Sequence, residues 1–332
     1  MLTRRTLAAA ATALPLFAVK RACAAEFSFR LGHPLPASHP LNVRGAEACS
    51  RIAAATDGRV SITVHPDSQL GPDSEALKKL RAGEIEMMAA FGLVLSTVAP
   101  VASLPDTPFA FKSYAQVWSA MDGALGALLR QGIAQSGYVP IGRTWDNGFR
   151  HVTSSTKPVR SPEDLHGLKI RVPVSPLAVS MFKALGAEPT GLNFSELYAA
   201  LQTHVLEGEE NSLFLIENAK LNEVQRYCSL TNHIWDGFWI LVNQQAWGSL
   251  PSRFQDLVEA EFDRAGQLQR DDMAHANPGL RGDLAMLGME INPVLPSEFQ
   301  QVLRGANFYA GWRDKFGEKA WEVLENSAGR LS

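Results

Sequence analysis

A single arginine, Arg171, stands inside a short apolar segment that reads GLKIRVP from position 167 to 173. The alternation predicts a β-strand with Ile170 and Val172 on one face and Arg171 on the other. An arginine presents a rigid fork of donors that matches a carboxylate, and its charge is permanent. The residue type and its place therefore indicate recognition of an anion, while a solvated strand face or a structural ion pair stays open as an alternative.

Further segments accompany this strand in a fixed order. They read HPDSQLGPDSEALKKLRAGEIEM (65–87), NGFRHVTSS (147–155), FSELYAALQT (194–203), GEEN (208–211) and LTNHIWDGFW (230–239). Their order and spacing resemble the solute-binding subunit of TRAP (tripartite ATP-independent periplasmic) transporters, the DctP family. The resemblance covers essentially the whole mature chain. It implies an α/β fold of two lobes, with mainly parallel sheets flanked by helices and long C-terminal helices.

The resemblance also implies a function and partners. Members of this family close over an organic acid in the periplasm and deliver it to a sodium-driven permease, which has a small four-helix and a large twelve-helix membrane subunit. We therefore expect a small organic acid as ligand, no cofactor, no metal and a monomeric protein. A periplasmic sensor or a scavenger without its own permease stays open as an alternative.

Ligand-binding residues follow from the resemblance position by position. Arg171 matches the arginine that binds the ligand carboxylate, and Asn211 matches the asparagine that orients the same carboxylate. Arg150 matches a second arginine that contacts the ligand directly or through water, and Asn147 precedes it in the same segment. Phe194 matches an aromatic residue that packs on the apolar face of the ligand. A structural role for Arg150 and a core position for Phe194 are the alternatives.

Acidic residues near these positions form a second group of candidates. Glu209 and Glu210 precede Asn211 and could accept hydrogen bonds from ligand hydroxyls or amines, although acids beside a carboxylate site more often pair with arginine. Neighbouring residues on a strand point to opposite faces, so the two glutamates are expected to separate. Asp73 lies where some family members bind polyol groups, and the N-cap of a helix is its alternative role.

Specificity is expected to depend on aromatic residues. Phe91 and Gly92 lie where sialic-acid-binding members carry glutamate and serine, which argues against a large nine-carbon sugar acid. A group of large side chains lies near the crossovers that the family implies: Trp145, Trp235, Phe238 and Trp239. Aromatic side chains at a cleft suit apolar or flat ligand surfaces. We therefore expect Phe91, Trp145 and Trp235 at the ligand, and a monocarboxylate that is a hydroxy, oxo, sugar or aromatic acid.

The N-terminus predicts export. The segment TRRTL at 3–7 is a twin-arginine motif, an apolar run too short to span a bilayer follows it, and small residues lie at 22–25. We expect cleavage after Ala24 or Ala25, which assigns residues 1–25 to a twin-arginine-type signal peptide and the mature protein to the periplasm. Cys23 follows residues that make a poor lipoprotein signal.

Composition limits the classes of partner. Removal of the signal peptide leaves 27 basic and 34 acidic residues, a formal charge of −7, which argues against nucleic-acid binding. An anion site must then be a local basic pocket. Cys49 and Cys228 remain in the mature chain, and we expect two buried free thiols because the family would place them in different lobes.

The order of elements alternates between strands and helices. Strands are expected at 27–31, 60–64 and 85–91, and helices at 41–55, 73–82 and 114–136, with mostly helices after Pro251. Repeated β-α-β units predict mainly parallel sheets. Following the family, lobe I is assigned to residues 26–147 plus about 236–277, and lobe II to residues 148–235 plus about 278–332.

Enzyme signatures are missing from the sequence. It contains no GxSxG, no HExxH and no phosphate-binding GxxxxGK[ST] motif, and its eight histidines show no metal-ligand spacing. We therefore predict no catalytic residue, although a hydrolase or lyase on a similar two-lobed fold remains an alternative.

Overall fold

The structure, a computed structural model, describes residues 25–331. The predicted signal peptide lies outside this range except for its last residue, and its twin-arginine type stays a prediction. The strands, in chain order, are β1 (Phe27–Gly32), β2 (Val60–His65), β3 (Met87–Phe91), β4 (Tyr138–Ser154), β5 (Lys169–Val172), β6 (Glu188–Gly191), β7 (Gly208–Ser212), β8 (Tyr227–Leu230), β9 (Trp235–Asn243) and β10 (Glu290–Pro293).

The α-helices in the described range, in chain order, are α1 (Pro40–Ala55), α2 (Asp73–Ala82), α3 (Gly92–Leu95), α4 (Tyr114–Met121), α5 (Ala124–Gln135), α6 (Pro176–Ala184), α7 (Phe194–Gln202), α8 (Leu213–Asn218), α9 (Gln244–Ser249), α10 (Ser252–Ala276), α11 (Leu280–Met286), α12 (Pro296–Gly305), α13 (Phe308–Phe316) and α14 (Glu318–Ala328). Three short 3-10 turns accompany them, at Pro100–Ser103, Pro162–Leu165 and Leu221–Glu223. None of the helices in residues 25–331 has both the length and the apolar character needed to cross a bilayer.

The strands form two half-sheets that share β4. The first half-sheet has the order β2-β1-β3-β9-β4, and the second has β6-β5-β7-β4-β8-β10. Strand β4 pairs with β9 up to Phe149 and with β7 from Arg150 onward. Pairs that involve neither β4 nor β9 are parallel, because helices connect those strands. This architecture confirms the predicted α/β class.

Local sequence signals explain several element boundaries. Helix α2 begins at Asp73 and ends at Ala82, as predicted, and the next residue, Gly83, has a φ of 77° that suits glycine after a helix C-terminus. Helix α6 begins after Ser175, whose hydroxyl accepts from the amide of Ala178. The predicted lobe boundaries stay a prediction, and α14 packs against α4 and α5 of the first part of the chain.

One helix prediction is wrong. The segment 114–136 contains two helices, since α4 ends at Met121 and α5 begins at Ala124. A Cβ at Gly126 would lie 1.8 Å from the carbonyl oxygen of Met121, so the chain turns sharply here. Arg270 of α10 stabilises the turn through hydrogen bonds of 2.8 and 2.9 Å to Asp122.

The core consists of one large cluster around both half-sheets and a smaller one beneath α7, α8 and α11. Cys49 belongs to the first and Cys228 to the second, and both are free thiols, as predicted. Burial raises the pKa of each thiol to about 12. Both thiols are therefore uncharged and poorly reactive in the folded protein.

Candidate functional site

Arg171 is a buried arginine near the C-terminal end of β5. Its Nε donates to the carbonyl oxygen of Leu192 over 2.9 Å, and the residue is 2 % exposed. Within residues 25–331 its two terminal nitrogens take part in no hydrogen bond or ion pair. Burial, and then the charge of Arg150, lower the pKa of Arg171 to about 10, so it stays charged at neutral pH. Its terminal donors are thus available to an anion.

Asn211 and Glu209 lie on one face of β7. The Asn211 side-chain amide donates to Glu209 Oε2 over 2.9 Å, and the hydroxyl of Thr153 donates to Glu209 Oε1 over 3.0 Å. Burial and the neighbouring Glu210 raise the pKa of Glu209 to about 7. Because Asn211 donates to Glu209, the Asn211 side-chain amide is held in one orientation, as a group that orients a ligand must be.

Glu210 lies on the opposite face of β7 and binds Arg150. Two hydrogen bonds of 2.6 and 2.8 Å join the Arg150 guanidinium to the Glu210 carboxylate, and Arg150 Nη1 lies 3.2 Å from Asp236 Oδ2. His233 Nε2 lies 2.8 Å from Glu210 Oε2. Burial alone would raise the pKa of Glu210, but Arg150 and His233 lower it to about 2. The predicted separation of the two glutamates is confirmed.

Asp73 connects two distant segments of the chain, the start of α2 and the start of α7. It is the first residue of α2 but does not cap that helix, and its Oδ2 accepts from the backbone amide of Phe194 over 3.3 Å. The amide of Ser74 in turn donates to Asn193 Oδ1 over 3.2 Å. Burial raises the pKa of Asp73 to about 6, although Phe194 and the charge of Arg171 oppose the shift.

Two further contacts join distant segments of the chain. Together with the hydrogen bonds at Asp73 and Ser74 they are called the rim contacts. Asn218 Nδ2 donates to the hydroxyl of Ser38 over 2.9 Å, and the hydroxyls of Ser96 and Ser175 lie 3.5 Å apart. Arg171 and Asn211 are both buried, at 2 % and 1 % exposure.

Aromatic rings form one wall of this enclosed region. Phe91 lies between Phe238, at 4.6 Å between ring centroids, and Phe194, at 6.4 Å. His39 continues the wall, at 6.0 Å from Phe238 and 5.2 Å from Phe214. The structure thus brings Phe91 and Phe194 together, as the site prediction requires.

The two predicted tryptophans lie elsewhere. Trp145 packs against α10, where a Cβ at Gly266 would lie 2.8 Å from its Nε1. Trp235 donates to Asp146 Oδ1 over 2.9 Å and packs edge-on against Trp118 at 5.4 Å. Both are buried among apolar neighbours and are not joined to the Phe91 wall by any aromatic contact in the described residues.

The sequence reasoning did not identify two acids beside Arg150, Asp106 and Asp236. Both are at most 1 % exposed. Asp236 stands in the segment WDGFW, where the aromatic residues dominate the sequence pattern, and Asp106 lies in a loop that carries no recognisable motif. Asn147, which was predicted, occupies the strand opposite Asp236. In the part of the chain that the structure describes, no group of three or more His, Cys, Asp or Glu side chains has the arrangement of a metal site.

Known proteins match most of this chain. The family model described as DctP, bacterial extracellular solute-binding protein, family 7, matches residues 31–307. A solute-binding protein of Roseobacter denitrificans is 31 % identical over 298 residues, which cover 90 % of this chain and 91 % of the relative. An uncharacterized protein of Sinorhizobium fredii is 36 % identical over 81 % of this chain but only 50 % of its own length.

Solved structures show the same fold. The TRAP periplasmic solute-binding protein of Roseobacter denitrificans with bound L-galactonate has a TM-score of 0.85 and 29 % identity, with 92 % of this chain and 99 % of that chain covered. The corresponding protein of Sulfurospirillum deleyianum with bound succinate has a TM-score of 0.84 and 28 % identity, with 91 % and 99 % covered. This chain belongs to the DctP family of TRAP transporter solute-binding proteins.

Proposed function

We propose that the protein captures a small organic monocarboxylate, a hydroxy, oxo, sugar or aromatic acid, between its two half-sheets. The single observation that carries the proposal is Arg171, a buried cation whose terminal nitrogens have no protein partner within residues 25–331. Burial of a charge without a counter-charge destabilises the folded protein. A ligand carboxylate that pairs with Arg171 would offset this free-energy cost. The related protein with bound L-galactonate holds a monocarboxylate and the one with bound succinate holds a dicarboxylate, so both ligands carry the carboxylate group that the proposal assigns to Arg171.

Binding is expected to couple to closure. The ligand carboxylate binds Arg171 while the cleft between the two half-sheets is open, and Asn211 orients it. The rim contacts at Asp73 and Asn193 then form as the cleft closes. Micromolar affinity requires about 8 kcal/mol, and a bidentate arginine contact contributes about 1.5–3 kcal/mol net. Burial of the ligand against Phe91 and Phe194 must therefore supply most of the rest.

Family membership supports the transport role. In this proposal the protein works in the periplasm after export by the twin-arginine route and delivers its ligand to a sodium-coupled permease with four-helix and twelve-helix subunits. A sensor or scavenger would bind the same ligand without a permease. Uptake of the radiolabelled acid in cells that carry or lack neighbouring membrane-protein genes separates these roles, since a scavenger would support no uptake.

A thermal-shift screen of the mature protein tests the binding proposal. The panel contains small organic acids and the matching neutral amides, with wild type and Arg171→Ala side by side. A hundredfold excess over the dissociation constant stabilises the protein by about 2.7 kcal/mol. We expect a shift with acids of one class, none with their amides and none in Arg171→Ala. Equal shifts for acid and amide would contradict the carboxylate role, and recovery of a chemically altered ligand would favour the enzyme alternative.

A further inference from the structure

A cavity of about 360 Å³ lies where the chain crosses between the two half-sheets. Its lining, called the Lys112 pocket, includes three phenyl rings and three polar side chains: Phe109, Phe111, Phe149, Lys112, Asn232 and Gln300. Phe149 is the last residue of β4 that pairs with β9, and Asn232 lies between β8 of the second half-sheet and β9 of the first. Neither Arg171 nor Asn211 lines this cavity, so the Lys112 pocket differs from the proposed ligand site.

Two residues of the Lys112 pocket have an unusual backbone conformation. Phe109 has a φ of 56° and Asn232 a φ of 45°, in the left-handed region that a bulky residue such as phenylalanine rarely adopts. Such strain persists only where surrounding contacts fix the backbone, and it is frequent at ligand sites. Here the amide of Phe109 donates to the carbonyl oxygen of His233 over 2.8 Å, and the hydroxyl of Tyr309 donates to the carbonyl oxygen of Pro108 over 3.3 Å. The segments on both sides of the cavity are therefore tied together, and the pocket has a preformed shape.

The phenyl rings of the Lys112 pocket suit a flat aromatic ligand. Phe109 and Phe111 are each 5 % exposed, and Phe149 is partly exposed. Phe111 packs edge-on against Trp235 at 6.3 Å between ring centroids, and Phe149 packs edge-on against Tyr114 at 5.2 Å. These contacts fix two of the rings. The cavity volume is near the lower limit for small-molecule sites, which run from about 300 to 1,000 Å³, so it has space for one aromatic ring with a short substituent.

The polar side chains of the Lys112 pocket have no protein partner in the described residues. Nζ of the exposed Lys112 takes part in no hydrogen bond or ion pair within residues 25–331. The side-chain amides of Asn232 and Gln300 make no hydrogen bond in the same range. None of the residues that line the cavity is acidic. The pocket therefore presents one positive charge and two amides, which complement a negatively charged group.

From the three rings, the unpaired ammonium group and the enclosed volume we propose that the Lys112 pocket is a second ligand site, which binds a small aryl carboxylate. The aromatic ring of this ligand packs against Phe109, Phe111 and Phe149, and its carboxylate pairs with Lys112. An aliphatic acid lacks the contacts between rings, and a neutral aromatic amide lacks the charge that pairs with the ammonium group. The second site does not use Arg171, so it goes beyond the proposed function.

Ligand-observed ¹⁹F NMR tests the second site, with 4-fluorophenylacetate as the probe and the mature Arg171→Ala protein as the target. This variant prevents the probe from binding through Arg171. A ligand of about ten non-hydrogen atoms should bind with a dissociation constant of about 1 mM. We expect the neutral 4-fluorophenylacetamide to bind about fivefold more weakly, which is the effect of one exposed ion pair.

Substitutions in the Arg171→Ala background locate the probe. Lys112→Met should weaken binding of the acid about fivefold, to the level of the amide, and leave binding of the amide unchanged. Gln300→Trp, which places a large side chain at the cavity, should abolish binding of both probes. Lys78→Met is the matched control, since Lys78 is an exposed lysine on α2 and should leave both affinities unchanged.

Three results would overturn the second site. The first is binding of the acid to wild type that is lost in Arg171→Ala, because the acid would then use the site of the proposed function. The second is unchanged binding in both Lys112→Met and Gln300→Trp, and the third is no binding to Arg171→Ala at about 10 mM probe. None of these results contradicts the carboxylate role of Arg171, which the thermal-shift screen tests separately. Should Gln300→Trp not fold, Lys112→Met against Lys78→Met decides the question.

Discussion

Arg150 and Glu210 form a fully buried bidentate ion pair, with Nε and Nη2 of the arginine 2.6 and 2.8 Å from the two carboxylate oxygens. The same guanidinium also contacts Asp236. Arg171, by contrast, keeps its terminal nitrogens unpaired within the described residues. The two arginines therefore differ in their pairing: Arg150 is engaged by Glu210 and Asp236, whereas Arg171 keeps the terminal nitrogens that the proposed function assigns to the ligand carboxylate.

Replacement of Arg171 by lysine should weaken acid binding by about one to two orders of magnitude, because lysine keeps the charge but lacks the bidentate fork. Isothermal calorimetry measures the change. Lys169→Ala on the same strand is the matched control, since Lys169 is exposed and should leave the affinity unchanged. Wild-type affinity in Arg171→Lys would contradict the assignment.

Replacement of Arg150 by methionine should destabilise the fold by about 3–5 kcal/mol, because it leaves Glu210 and Asp236 buried without their counter-charge. Denaturant unfolding of the ligand-free protein measures the loss. Arg143→Met is the control, since Arg143 pairs with the partly exposed Asp263 and its loss should cost about 1 kcal/mol or less. Equal losses in both variants would show that the Arg150 pair contributes no more than a surface pair.

Asp73 should make stability depend on pH in a defined direction. Its pKa in the folded protein, about 6, exceeds the unfolded value, so the contribution of this group is fully present below the unfolded pKa near 3.8 and is lost as pH rises through 6. The whole effect amounts to about 3 kcal/mol. Buried histidines such as His39 and His151, whose pKa values burial lowers to about 3, act in the opposite direction.

A comparison with Asp73→Asn isolates this group from the histidines. The stability of wild type relative to the variant should rise as pH falls from 7 to 4, as measured by denaturant unfolding at each pH. The histidine contributions are common to both proteins and cancel in the difference. A difference that stays constant with pH would show that Asp73 is ionised throughout, with its charge supported by Arg171.

The rim contact between Ser74 and Asn193 should favour the closed form. Asn193→Ala removes the acceptor of the Ser74 amide and should weaken ligand binding several-fold through faster dissociation, because the closed form becomes less populated. Stopped-flow measurement of the dissociation rate tests this. Asn222→Ala is the control, since the Asn222 side chain makes no hydrogen bond within residues 25–331. An unchanged dissociation rate in Asn193→Ala would mean that this contact does not hold the cleft closed.

Local patterns predicted much of the architecture. Alternation placed β5 correctly, the start of α2 at Asp73 follows from its helix-forming segment, and the opposite faces of Glu209 and Glu210 follow from strand geometry alone. The long helix predicted over 114–136 failed because the chain leaves the helix at Gly123, where a Cβ would lie 2.6 Å from the carbonyl oxygen of Ser119. Arg270, a residue almost 150 positions away, binds Asp122 at this turn.

What the sequence by itself determined is the order of elements, the family and the identity of Arg171 and Asn211 as candidates, since these depend on short segments and their spacing. Only the tertiary structure decided which polar groups are already paired. In the structure Arg150 pairs with Glu210 and Asp236. Trp145 and Trp235 are buried in the core, and the carboxyl of Asp106 has no hydrogen-bond partner within residues 25–331. The two pairings of Arg150 join residues 60 and 86 positions apart, and no periodicity within one strand or helix encodes contacts over that separation.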